Sequence, residues 1–282
     1  MKKLTLNEIK TIAVDVDGTL FDSSGKIMPK TKKALLELQD KGVHLILASG
    51  RPVKSMLPIA ESLGLHEHKG LILANNGSVG YDTEENKVVF DTPIEKSLAQ
   101  EILNSFIGRE IWPMVESGDH MLVEDVYKGV ITHNGQLRNI TQREAREGGF
   151  LLKEASPVAD YIDDHVNKIL TIVEPADIQD YIDEYKERFG DRLHVVQTAP
   201  YYMEFNRPEA NKAYGLIKLG IDPDTLMTFG DSMNDREFLM YSKYPVCMAN
   251  GQDPVKEVAI YVTSDNDSEG IYEALKHFGL VD

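Results

Sequence analysis

The run TIAVDVDGTLF, residues 11 to 21, ends an apolar stretch in two carboxylates, Asp15 and Asp17, followed at once by Gly18 and Thr19. Aspartate is depleted in strands, and like charges this close resist joint ionisation. A hard divalent cation bound by oxygen ligands, Mg2+ above all, would relieve the repulsion. Alternation along an extended strand puts Asp15 and Asp17 on the same side. Asp15 is then placed to attack phosphorus and form an aspartyl-phosphate. Asp17 is placed to protonate the leaving oxygen and afterwards to deprotonate the attacking water. Gly18 permits a tight turn against a ligand, and Thr19 can hold the pair by hydrogen bonds.

Three other apolar runs close on polar groups: Ser49, Gly50 and Arg51 in ASGR, Asn76 and Gly77 in ANNGS, and Asp231, Asn234 and Asp235 in GDSMND. Ser49, loop N–H groups and one lysine could neutralise a phosphate beside the cation. Each group also has a plainer reading. A DG pair marks ordinary turns, and Ser49 before Gly50-Arg51-Pro52 reads as a helix N-cap. Asp231, Asn234 and Asp235 could cap a helix, although one such residue suffices. Lys212 by itself reads as a solvated helix lysine and Asn211 as a cap. The histidines lack HExxH or paired spacing and read as solvated or core residues.

These groups must be delivered to one place, and the pattern of elements does that. IAVDVDGTLF, VHLILASGR and GLILANNGSVGYD read as strands, with helices KTKKALLELQDKG and VKSMLPIAESLGL between them. Strand and helix in alternation predict an α/β fold with a doubly wound parallel sheet and ligands at the carboxyl ends of its strands. After KVVFDTPI the pattern changes. SLAQEILNSFIGR is helical, Glu110 to Val126 alternates as antiparallel strands, and Ile178, Tyr181, Ile182, Tyr185 and Phe189 form a helical stripe read as core. Trp112, Met114 and Met121 are read as core of this second region. From LHVVQTAPYYMEF onward the α/β alternation is read as resuming. The expected division is a catalytic core of residues 1–83 and 197–282 with an inserted α/β domain at 84–196.

Composition bounds the rest. The 282 residues are 42% hydrophobic and 27% charged, which fits a globular protein of one or two domains. Forty-six acidic against 30 basic residues give a net charge of −16, which disfavours nucleic acid and anionic membranes as partners. Cys247 is the only cysteine, so no internal disulfide can form. With no signal-length apolar run, a cytoplasmic location is expected, and no obligate protein partner is evident.

Taken together, DVDGTLF, ASGR, EANK and GDSMND resemble the four motifs of the haloacid dehalogenase superfamily of phosphatases, and more narrowly its Cof-like subfamily, over nearly the whole chain. The resemblance implies Asp15 as nucleophile and Asp17 as acid/base. Mg2+ would be held by the Asp15 carboxylate, the Asp17 main-chain carbonyl and the Asp231 carboxylate, with Asp235 orienting that shell. It implies phosphate contacts from the Val16 backbone, Ser49, Gly50, Lys212 and Asn234, to which Thr19 is added, and a substrate side formed by Arg51, Asn76 and Gly77. The insertion resembles the subfamily's cap, a lid that selects substrates and excludes water. Two stretches depart from the pattern: Ala213 follows Lys212 where relatives usually carry Gly, and CMANGQDP replaces a Gly-Asn-Ala order.

The expected activity is Mg2+-dependent hydrolysis of a small phosphate ester, such as a sugar phosphate or phosphorylated cofactor. The alternatives are a phosphomutase or phosphotransferase using the same aspartyl-phosphate, a signalling receiver domain, and a non-catalytic phosphate-binding protein.

Overall fold

The computed structural model describes residues 3–133 and 135–282. The chain divides into two compact units, Met1–Phe90 with Ala210–Asp282, and Asp91–Glu209.

The first unit begins with β1 (Thr11–Asp15), α1 (Pro29–Asp40), β2 (His44–Ala48), α2 (Val53–Ser62), β3 (Leu71–Ala74), β4 (Val79–Asp82) and β5 (Lys87–Asp91). Every residue of β1 is buried, as the unbroken apolar run requires of a strand covered on both faces. Helix α1 opens on Pro29, whose fixed φ suits a first helical turn, and turns Ala34, Leu35 and Leu38 to the core. The strand expected to end at Asn75, Asn76 and Gly77 does end there, and a second strand follows within the same stretch. Asn75, Asn76 and Gly77 take φ of 48°, 55° and 87° and send β4 back antiparallel to β3.

The second unit contains α3 (Lys96–Asn104), β6 (Ile111–Ser117), β7 (His120–Val123), β8 (Val130–His133), β9 (Gln136–Asn139), α4 (Ile140–Gly148), β10 (Leu151–Glu154), β11 (Lys168–Val173), α5 (Ile178–Phe189), β12 (His194–Ala199) and β13 (Tyr202–Asn206). Its six-stranded sheet runs β10-β7-β6-β11-β13-β12, with β8 and β9 as a separate hairpin. On one face α3 and α5 bury Ile102, Ile182, Tyr185 and Phe189 against Ile169, Met203 and Phe205. Tyr185 meets Phe205 edge-on at 5.2 Å, a favoured aromatic arrangement. The stripe predicted on α5 is therefore core. Met114 and Met121 are buried with Ile131, Ile140 and Leu170 in a second cluster, and half-buried Trp112 carries the Lys128 ammonium 4.8 Å from its ring centre.

The first unit resumes with α6 (Lys212–Lys218), β14 (Leu226–Gly230), α7 (Arg236–Tyr241), β15 (Tyr244–Cys247), α8 (Asp253–Lys256), β16 (Tyr261–Val262) and α9 (Gly270–Phe278). Its eight strands are ordered β16-β15-β14-β1-β2-β3-β4-β5, and those from β16 to β3 run parallel. Successive connections run one way from β1 to β2 and β3 and the other way from β14 to β15 and β16. The order reverses between β1 and β14, and such a switch opens a crevice beyond the carboxyl ends of the two strands. Asp15 and Asp17 emerge at one lip and Asp231 at the other.

The α/β class and parallel sheet agree with the sequence reading, but the insertion does not lie at 84–196. Strand β5 joins the edge of the first sheet, while β12 and β13 pair antiparallel inside the second, so the divide falls at 90/91 and 209/210. LHVVQTAPYYMEF thus completes the inserted unit; its alternation looks the same in either sheet. No helix among the described residues is long and apolar enough to cross a membrane.

Candidate active site

Asp15 is the last residue of β1 and is almost wholly buried. The chain then turns through Gly18 at φ 81°, where a Cβ would lie 2.7 Å from the Asp231 Oδ2. Glycine is required there twice over, by its left-handed conformation and by the closeness of that carboxylate. The Thr19 hydroxyl, expected on the phosphate side, donates to Asp231 Oδ1 at 3.1 Å and so ties the two lips of the crevice together. Val16 is buried, and its carbonyl accepts the Phe21 N–H at 2.9 Å to close the turn.

Lys212, the first residue of α6, has no exposed surface, against the plain reading of it as a solvated lysine. Its Nζ donates to Asp15 Oδ1 at 2.5 Å and to Asp235 Oδ1 at 2.6 Å. The Asn211 side chain caps α6 by accepting the Tyr214 N–H at 2.8 Å, which fixes where the lysine starts. Gly77, at φ 87°, lies so close that a Cβ there would fall 2.3 Å from the Asn211 carbonyl. The loop after β3 thus seats the helix that carries Lys212.

Asp235 is also fully buried, and its second oxygen accepts the N–H groups of Asp231 and Ser232, both at 3.1 Å. Of Asp231, Asn234 and Asp235, all foreseen as possible caps, Asp235 alone acts so, in a capping box with Ser232, and its other oxygen anchors Lys212. Ser49 is not an N-cap: α2 is preceded by Pro52, and the buried Ser49 Oγ accepts the Arg51 N–H at 3.2 Å. Asn234 Nδ2 lies 3.4 Å from Asn76 Oδ1, and a Cβ on Gly50 would stand 3.0 Å from that same oxygen. The second, third and fourth polar loops therefore converge as predicted. Arg51, expected on the substrate side, is found paired with Asp17. Its Nε and Nη2 donate to the two oxygens of Asp17 at 2.8 and 2.6 Å, a bidentate clamp that neither residue's position in the sequence announces.

Asp15, Asp231 and Asp235 each offer a carboxylate oxygen within 4.8 Å of the others. Three carboxylates and the one ammonium of Lys212 leave two negative charges uncompensated in a mostly buried cluster. Burial, then Asp235, push the Asp15 carboxyl well above the usual range, with Lys212 pulling against them. Asp231 is pushed up to about 6 by burial and Asp235, opposed by Thr19 and Lys212. Burial would lower Lys212, but Asp15 and Asp235 outweigh it and keep the ammonium charged. Among the described residues, Asp15 Oδ2 meets no hydrogen-bond donor. An all-oxygen set with an excess of two negative charges and an unpartnered carboxylate oxygen fits a hard divalent cation. Cys247 is buried nearby, its thiol pushed up to about 11 by burial and Asp231, which leaves it unreactive.

The sequence profile of the haloacid dehalogenase-like hydrolases matches residues 12–275, which takes in every group just described. The chain belongs to that family. Among similar proteins, this hydrolase is 28% identical over 281 residues to the 5-amino-6-(5-phospho-D-ribitylamino)uracil phosphatase YcsE of Bacillus subtilis, with 97% of each chain covered. It is 25% identical over 290 residues to phosphatase YwpJ of the same organism, covering 95% of this chain and 99% of the other. A crystal structure of a haloacid dehalogenase-like hydrolase from Bacteroides thetaiotaomicron superposes with a TM-score of 0.85 at 25% identity, over 95% of this chain and 99% of that one. This hydrolase is an enzyme, and relatives similar to it along their whole length are named phosphatases.

Proposed function

We propose that this hydrolase is a Mg2+-dependent phosphatase of small phosphorylated metabolites, such as a sugar phosphate or a phosphorylated cofactor, working through an aspartyl-phosphate on Asp15. The observation that carries the reading is the asymmetry of the Asp15 carboxylate. Oδ1 is pinned by Lys212 while the buried Oδ2 has no donor among the described residues.

Oδ2 attacks phosphorus, a bond from Asp15 to phosphorus forms, and the ester oxygen leaves with a proton from Asp17. Asp17 then takes a proton from water, the water oxygen attacks phosphorus, and the bond to Asp15 breaks to release phosphate. Mg2+ held by the carboxylates of Asp15 and Asp231, with the Asp17 main-chain carbonyl, would neutralise charge on the phosphoryl oxygens. Lys212 keeps Asp15 oriented and Asp235 keeps Lys212 in place. Ser49, Gly50 and Asn234 lie on the loops that face the phosphoryl group, and Arg51, Asn76 and Gly77 on those that face the rest of the ester. Family membership argues against the receiver-domain alternative. A small phosphorylated substrate is supported by the similarity to YcsE, a phosphatase named for a substrate that carries a phosphoribityl group.

Asp15→Asn removes the nucleophilic oxygen and keeps the shape. Release of phosphate from an aryl phosphate with Mg2+ is expected to fall at least about 10³-fold with the fold intact by circular dichroism. Turnover at the wild-type rate would refute the assignment, and phosphate appearing on an added sugar rather than in solution would favour a phosphotransferase.

A further inference from the structure

The stretch CMANGQDP, which departs from the order usual in the family, forms a turn that touches both lips of the crevice. On one side the Gln252 N–H donates to the Asp231 carbonyl at 2.8 Å and the Met248 N–H to the Gly230 carbonyl at 3.1 Å. On the other side the Asn250 Nδ2 donates to the Gly18 carbonyl at 2.8 Å. Asn250 is itself oriented, because its Oδ1 accepts the Asn266 N–H at 3.1 Å while the Asn266 side chain donates to the Phe21 carbonyl at 2.8 Å. Gly251 fits between them: a Cβ there would fall 2.5 Å from the Cys247 sulfur and 3.0 Å from the Asp231 carbonyl. One turn is thus bonded to the loop of Asp15 and Asp17 and to the loop of Asp231.

We propose that Asn250 is a positioning residue that fixes the separation of these two loops, and with it the affinity of the Asp15 and Asp231 carboxylates for a divalent cation. The inference rests on the metal-dependent reading given above. Repulsion between Asp15 and Asp231 pushes the loops apart: β1 ends at Asp15 itself, and β14 ends one residue before Asp231. Beside the bond from Thr19 to Asp231, the brace adds a second restraint through Gly18, the residue whose φ of 81° already places it against the Asp231 carboxylate. Asn250 is exposed, so its amide adds little to the apolar core.

Two variants test it. Asn250→Ala removes the brace. Asn250→Asp keeps the outline and the acceptor for Asn266 but loses the donor to Gly18, while its added negative charge would by itself tighten cation binding. Calorimetric titration of the full chain with Mg2+ alone is expected to show affinity lowered about tenfold or more in both, within the range found when a group supporting a metal ligand is removed. Turnover of an aryl phosphate at saturating Mg2+ should show kcat reduced about tenfold with KM within about twofold. Metal-free melting temperatures should stay within a few degrees of wild type. Wild-type affinity in both variants, tighter binding in Asn250→Asp, or a lowered melting temperature with affinity unchanged would overturn the proposal. If the wild type binds Mg2+ yet hydrolyses no ester, the phosphatase reading falls alone and the calorimetry still decides the brace; a wild type that binds no Mg2+ ends both.

Discussion

At Lys212 an ammonium group sealed from water lies between the carboxylates of Asp15 and Asp235. Removing one partner of such a buried cluster costs about 3–5 kcal/mol, because the remaining charges lose their compensation. Lys212→Met should therefore lose about that much stability in urea titrations at pH 7.5 and less at pH 5, where the carboxyls can protonate, with Mg2+ restoring part of the loss. Asp231 gives the pH dependence its sign. Its carboxyl is raised from 3.8 to about 6, so the protonated form is favoured in the folded state. The metal-free protein should lose stability as pH rises from about 4 through about 6, since ionisation is easier in the unfolded chain. Mg2+ affinity, which needs the ionised form, should rise over the same interval, as calorimetry at stepped pH would show. At this scale the sequence was legible for residue type and order: the aspartates, Ser49, Lys212 and Asn234 all reach one crevice. It was silent on pairing. The grip of Arg51 on Asp17 and the reach of Asn250 to Gly18 link positions far apart in the chain, and no local spacing records them.

Among the elements, the loop after β3 packs closely on α6, because Gly77 meets the Asn211 carbonyl and Gly215 approaches Gly77 in turn, a Cβ on Gly215 lying 3.1 Å from the Gly77 Cα. Gly77→Ala cannot be absorbed by a rotating side chain, since the obstacle is backbone and φ is 87°. It should lower stability by about 1–3 kcal/mol and shift Lys212, so that kcat falls more than KM rises in steady-state assays. Strands with unbroken apolar runs, β1 and β2 among them, and helices with clear 3.6-residue stripes, α1 and α5, were readable beforehand. The end of β3 at Asn75–Gly77 was readable, but the antiparallel return strand β4 was not, because its short run SVGYD carries no signal of direction. Strands β8 to β10 and α4 were not identified, since mixed polar sequence such as QLRN in β9 carries no period.

For the molecule as a whole, the charge of −16 opposes the approach of an anionic ester even though the crevice holds Lys212 and Arg51. Salt screens the distant surface charges more than the buried ones, over about 10 Å at 0.1 M. At saturating Mg2+, kcat/KM for a phosphate dianion should therefore rise as salt is raised toward about 0.15 M, and a fall would show that the local positive groups govern encounter. The division into two units was legible as a change in alternation, and its edges were not, because β12 and β13 resemble strands of either sheet.

The position of β1 between β2 and β14 has a further consequence for synthesis. On the ribosome β1 is made well before β14, so one of its flanks stays open until Leu226–Gly230 has been translated. Bare strand flanks invite mispairing, and closing them over a long span of chain is slow. A polypeptide that has not reached β14 lacks Asp231 as well as one neighbour of β1. The strand that covers β1 and the carboxylate that faces Asp15 arrive on one stretch of chain.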